Sequence, residues 1–449
     1  MLIIMLFLPA TIYMLNFFLS GAMSLPFQEN NIYQDVLYTV KRIFGLETFY
    51  IRLTSNTSGV KVNFRRSLKA TAYTGILIVA ILLMLVYQVA QTASVYFQVG
   101  TVLFSLTIAT IILNFSSLVG LANMIWNINP RKEIIKLFLE VDYILFNDPS
   151  NHNEQSKCTQ VLAVTVAGIY TITLFTFDLW LGGDHAGFNR MSCMFSYLTH
   201  SINLIATLNY TNWVLQVMTR LKAFNLKLHQ VTCKTCGTRN LNNILMARSL
   251  LKENNSLRQM PGRIWTRPTR ESVLLHSDVR FNEEMCIFSL RVLFEKVSKC
   301  IFLINDAYGA HILLVIALHC TFCQGYILLV TVSVGATKAE YPVKIVISLS
   351  VLWCFLQLSQ TAWIISSCRA ACAEVRRTLA IIQEMLLEPP PGEGMLQQLG
   401  LFHDQVSSRD FSFSAGGVLK IDCSLLGYMV MSIVSNVVVL IQMTPLKQQ

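Results

Sequence analysis

The chain has 449 residues, of which 53% are hydrophobic and 13% charged, and its mean hydropathy is +0.51. Soluble domains carry about 25% charged residues, so the composition excludes a water-soluble globular protein and describes one that sits in a membrane. The net charge of +10 is not a nucleic-acid footprint, which needs a basic groove or interleaved aromatics.

Residues 1–69 form an N-terminal segment whose apolar stretch, 1–25, has no basic n-region of the secretory type. It is read as a membrane-associated or partly inserted helix. Four spans follow within 70–218, at 70–92, 97–126, 160–182 and 193–218. A connection at 219–307 extends the fourth and fifth spans as amphipathic helices around an irregular Arg258–Arg270 loop rich in Pro, Gly and Arg. Spans five and six occupy 308–335 and 343–367. Residues 368–416 link them to the last span through a helix at Cys372–Leu387, a Pro389–Gly394 breaker and an amphipathic piece at Met395–Val406. The seventh span is 417–443 and the tail 444–449. Each span is long enough for a hydrocarbon core of about 30 Å.

The basic residues orient this array. Seven Lys and Arg precede the first span and fifteen lie between the fourth and fifth, whereas the connections after spans one, three and five carry almost none. Basic loops remain in the cytoplasm. The expected fold is therefore all-α, with seven transmembrane helices, a cytoplasmic N-terminus and an extracellular C-terminus.

The sites of common chemistry are missing. There is no Walker loop, no His-Glu-x-x-His and no Gly-x-Ser-x-Gly elbow, so no catalytic residue, cofactor or metal is expected. His229 with Cys233 and Cys236 falls short of a closed zinc site. Cys320 and Cys323 lie in an apolar span and read as packing. Asp178, near the end of span three, is the one carboxylate well inside a span, and acids there are functional candidates.

The last segment is the most specific. On a helix, Tyr428, Ser432, Ser435, Val439 and Gln442 recur every three or four residues and share one face, with Met429, Ile433, Val437 and Leu440 elsewhere. A polar stripe does not face lipid. If several copies surround an axis, Gln442 forms an amide ring and Val439 an apolar constriction that gates by dewetting. The alternative is a helix buried in one subunit, its Ser and Asn bonded to neighbours.

This ending resembles that of the insect gustatory receptors, relatives of the insect odorant receptors. Phe413-Ser-Ala-Gly416 and Asp422 match the first part of the family's pattern. Ser435-Asn436, five apolar residues and Gln442-Met443 stand where the family has Thr-Tyr, five mostly apolar residues and Gln-Phe. A Lys41–Leu46 stretch before span one and a long connection after span four extend the likeness loosely along the chain. The resemblance implies a ligand-gated cation channel of four subunits, identical or mixed with other receptors of the family, in the plasma membrane of sensory neurons. The seventh helices line its pore, with Gln442 at the pore glutamine and Val439 at the gate. It implies a small-molecule tastant held in the outer halves of spans two to six. By depth these halves carry Phe175, Asp178 and Trp180 on span three, Tyr197, His200 and Asn203 on span four, and Gln324 and Tyr326 on span five, with Trp353 near the middle of span six. Aromatics with a few polar groups make a small-molecule pocket, though Tyr and Trp also serve as interfacial anchors. Two other seven-span or many-span classes fit less well. A G-protein-coupled receptor requires the opposite orientation and lacks its Asp-Arg-Tyr and Asn-Pro-x-x-Tyr motifs here. A secondary transporter usually carries repeats or broken helices.

Overall fold

The computed structural model describes residues 36–56, 59–95, 101–146, 168, 190–256, 270–335, 341–387 and 393–443. Apart from position 168, the third expected span with Asp178 and Trp180 lies outside these residues. So do the apolar stretch 1–25, most of the 258–270 loop and the side chains of Cys233 and Cys236.

A short helix α1 (Val36–Ile43) ends at Gly45, whose φ is 72°. That value suits glycine, and a Cβ added there would lie 2.8 Å from Leu77. Strands β1 (Phe49–Asn56) and β2 (Gly59–Arg66) form an antiparallel hairpin with Phe49 opposite Arg66 and Asn56 opposite Gly59. The sequence reading had not placed it. Helix α2 (Leu68–Val95) starts on Ser67, whose hydroxyl accepts from the Ala70 amide at 3.2 Å as an N-cap does. Helices α3 (Thr101–Trp126) and α4 (Ile128–Phe146) come next.

The expected extensions of spans four and five are unbroken. Helix α5 (Arg190–Ser256) has 67 residues and α6 (Arg270–Gly335) has 66. Helix α7 (Tyr341–Leu387) fuses the sixth span with the Cys372–Leu387 piece in 47 residues, and α8 (Glu393–Ser407) buries Met395, Leu399, Phe402 and Val406 at helical spacing. The last helix corrects the expected boundary. Residues 414–420 are a small hairpin of β3 (Ser414–Ala415) and β4 (Leu419–Lys420), and α9 (Cys423–Met443) begins only after it. Two consecutive glycines at positive φ, Gly416 and Gly417, keep the helix from reaching back through them.

Among the described residues four helical stretches are long and apolar enough to cross a membrane: Leu68–Ala90, Thr107–Trp126, Met285–Thr331 and Ile347–Leu387. Cys423–Val439 is a shorter apolar helix. The 193–218 part of α5 is more polar because its polar side chains face protein. Thr199, Asn203, Thr207 and Asn209 are all buried.

Helix α6 is central and packs on α3, α4, α5, α7, α8, α9 and β3. One end of the bundle, called upper here, gathers the end of α2, the starts of α3, α5 and α7 and the ends of α6 and α9. The lower end is tied by paired charges. Glu47 lies 3.3 Å from Lys41 and 4.0 Å from Arg131, and Lys41 also donates to Asn209 at 3.2 Å. Asn209 and Trp213 both donate to the Tyr308 hydroxyl, at 3.0 and 2.9 Å. Arg220 bonds Asp142 at 2.6 Å and lies over the Phe138 ring. Buried charges require such partners, and here they join α1 and the following turn to α4, α5 and α6.

Candidate functional site

Two features stand apart from simple packing. The first is a seam between α5, α6 and α7 toward the upper end. The Trp353 ring of α7 meets Tyr197 and His200 of α5, with ring centroids 5.9 and 5.0 Å away, and stacks with Tyr326 of α6 at 6.2 Å. Phe322 stacks on Tyr326 from one turn below, at 5.8 Å. Four of the expected ligand residues, Tyr197, His200, Tyr326 and Trp353, thus converge from three helices. Helical spacing then sets what lies beneath. Gln357 and Thr361 follow Trp353 at intervals of four and share its face, and Thr361 bonds His319 of α6 at 2.7 Å.

Polar satisfaction is uneven along this seam. Gln357 is fully buried, and both atoms of its amide are without a partner. His200 is 4% exposed, with its Nε2 also unpaired. A buried polar group in this state costs about 1–3 kcal/mol. Of the remaining expected residues, the two that are described lie apart. Asn203 serves helix contacts: its amide donates to Ser117 Oγ at 2.7 Å, and its oxygen accepts from Ser116 Oγ at 2.8 Å and lies 3.1 Å from His311 Nε2. Gln324 is half-buried and, two residues before Tyr326, lies about 200° around α6 from it. Gln357, His319 and Thr361 escaped the sequence reading. The only local signal was their helical phase relative to Trp353 and Phe322.

The second feature is α9 and its seat. Its buried positions are Leu425, Met429, Ile433 and Val437, one stripe at intervals of four. Ile433 and Val437 pack with Cys323 of α6 and with Cys354 and Leu358 of α7. Cys320 and Cys323 are free thiols set in apolar packing, as expected. A neighbouring side, with Tyr428, Ser432, Ser435, Val439 and Gln442, is exposed on this chain, as are Met431, Val434 and Val438 between; Val439 is 50% exposed against 8% for Val437.

The Phe413–Gly416 sequence explains itself in the seat. Phe413 and Ala415 are fully buried. Gly416 has φ 61°, and its backbone passes so close to α6 that a Cβ on Gly309 would lie 2.8 Å from the Gly416 nitrogen. Asn305 of α6 grips the same strand, donating to Ser412 O at 2.9 Å and accepting from the Ser414 amide at 3.2 Å. Asp422 accepts from the Ser424 amide at 2.9 Å and from its hydroxyl, capping α9. The Ser424 hydroxyl foremost, then the Ser424 and Leu425 amides, holds the Asp422 carboxyl below its ordinary range.

The sequence matches the 7tm chemosensory receptor family over residues 34–446. The chain belongs to the 7tm chemosensory receptor family. The chemosensory receptor fold is also visible in solved structures. The insect olfactory receptor OR5 from Machilis hrabei superposes with a TM-score of 0.55 at 10% identity, covering 90% of this chain and 96% of that one. The same receptor in complex with eugenol gives a TM-score of 0.51 at 10% identity, with the same coverage. No curated protein sequence matches this chemosensory receptor significantly.

Proposed function

We propose that this receptor is a gustatory, ligand-gated cation channel of the plasma membrane of sensory neurons. A tastant bound in the seam favours an open pore by its difference in affinity between closed and open states. The chain spans the membrane seven times with its N-terminus in the cytoplasm. Four subunits, identical or mixed, bring their α9 helices around one axis. Val439 is the apolar gate, Gln442 the amide ring toward the outside, and Ser435 part of the conduction path.

One observation carries this reading: α9 buries its apolar stripe and leaves Ser432, Ser435 and Gln442 exposed. Exposed polar groups on a membrane-spanning helix call for water or another protein surface rather than lipid. A small-molecule ligand accords with the eugenol complex of the structurally similar olfactory receptor.

The test is electrophysiological. Gln442→Glu is expected to shift the permeability ratio among cations, and Val439→Ala to raise ligand-independent current. Unchanged ratios together with a silent, surface-expressed Val439→Ala channel reject the pore assignment. An epitope placed after Gln449 is expected to be labelled on intact cells; labelling only after permeabilisation, with surface delivery shown separately, rejects the orientation.

A further inference from the structure

We infer that the ligand of the α5–α6–α7 seam is an uncharged, mostly apolar ring compound that carries a hydrogen-bond acceptor beside a donor, as in a lactam or a carboxamide, and that Gln357 reads that pair. The inference rests on the receptor reading above and names its ligand class.

Charge is excluded first. The stretches 195–218 of α5, 307–335 of α6 and 345–368 of α7 contain no Asp, Glu, Lys or Arg. The helices that form the seam therefore offer no counterion, and a bare charge in such surroundings is strongly disfavoured. Polarity is then rationed. Within these stretches of α5 and α7 the buried polar atoms left without a partner are both amide atoms of Gln357, Gln360 Nε2, Thr207 Oγ1 and His200 Nε2, and of these residues only Gln357 leaves an acceptor and a donor open together; His319 and Thr361 bond each other. A ring compound with one acceptor beside one donor matches the Gln357 pair. A carboxamide side chain holds its C=O and NH2 in one plane, so it is complementary to a planar group with the two functions reversed. The remaining surface, the rings of Tyr197, Tyr326, Phe322 and Trp353, suits the flat apolar body.

The experiment uses the full-length receptor in lipid nanodiscs, with melting temperature and Trp fluorescence as binding readouts, and current recording in cells as a separate one. The probes are 2-quinolinone, its N-methyl derivative (the acceptor kept, the donor lost), sucrose and a quaternary ammonium compound. The expected result is a melting-temperature rise with 2-quinolinone and at least tenfold weaker binding of the N-methyl derivative. In Gln357→Leu that difference collapses to within twofold. The same variant keeps or raises the ligand-free melting temperature, because it removes two unpaired buried groups.

Preferential binding of sucrose or of the ammonium compound overturns the inference, as does equal binding of the two quinolinones. So does a Gln357→Leu receptor that melts higher yet keeps the wild-type preference, which would make the amide hydrated packing. Binding of 2-quinolinone without current leaves the ligand class standing and counts against the channel. Current evoked by sucrose with no binding of either quinolinone does the reverse.

Discussion

Helices α2 and α9 both expose large apolar side chains, and they differ in where their polar side chains go. Helix α2 turns Ile76, Val79, Leu83 and Val86 outward and buries Thr74 and Gln88; Gln88 accepts from Asn114 of α3 at 2.6 Å. Helix α9 buries Leu425, Met429, Ile433 and Val437, and its outer side is mixed: Val430, Met431, Val434 and Val438 stand beside exposed Ser432, Ser435 and Gln442. Composition alone would treat both as membrane helices. The difference lies in the outward polar stripe of α9, which suits water or another protein surface better than hydrocarbon.

The contrast can be broken most severely at the seat of α9. Gly309→Val places a side chain where the Gly416 backbone already lies, and neither element can yield without moving α6. Near-complete loss of folded receptor is expected by size-exclusion of detergent extracts, while Gly75→Val on α2, where nothing lies within 4 Å, is tolerated. A charge scan sharpens the same contrast. Leu83→Lys puts an ammonium on the outer face of α2 at a cost of about 2.5–3.5 kcal/mol, and surface delivery should fall several-fold. Ser435→Lys on α9 should be delivered normally and alter conduction. Equal loss of delivery for both would mean that α9 faces lipid as α2 does.

Smaller effects follow the inward polar pairs. Asn114→Leu removes the amide that donates to the Gln88 carbonyl and should lower stability by about 1–2 kcal/mol, read as a melting shift that Gln88→Leu in the same chain largely reverses. Asp422→Ala removes the α9 cap for about 0.5–1 kcal/mol. Because the folded carboxyl titrates below its unfolded value, this stabilisation is present above about pH 4 and is lost as the pH falls through the folded pKa. The wild-type and Asp422→Ala melting curves should therefore converge on acidification.

Features that repeat with the helical period were legible in the sequence. The outward stripe of α9, the buried face of α8 and the convergence of Tyr197, His200, Tyr326 and Trp353 depend on depth and phase, which the sequence carries locally. Other features needed a third dimension. The Glu47 pairing with Lys41 and Arg131 spans 84 positions from Glu47 to Arg131, and neither loop composition nor charge counting says which cation meets which acid. Gln357 looks in sequence like any polar residue in a span, and its lack of partners emerges only when three helices enclose it. The β1–β2 hairpin was hidden because its polar, basic strands read as a charged loop. The hairpin before α9 was hidden because an apolar run continues through its glycines.

Helix α6 holds α9 and the hairpin that leads into it at two heights. Cys323 lies against Ile433 and Val437, and Gly309 abuts the backbone of Gly416; these mounting points are roughly 20 Å apart along α6 at about 1.5 Å per residue. A rod fixed at two points resists sliding along its length and tipping about either one. The freedom left to it is rotation about its own axis, and on an α-helix a turn of about 100° replaces one residue by the next in sequence. For α9 a rotation of about 100° would therefore exchange Val439 for Val438 or Leu440, with a change in height of only about 1.5 Å.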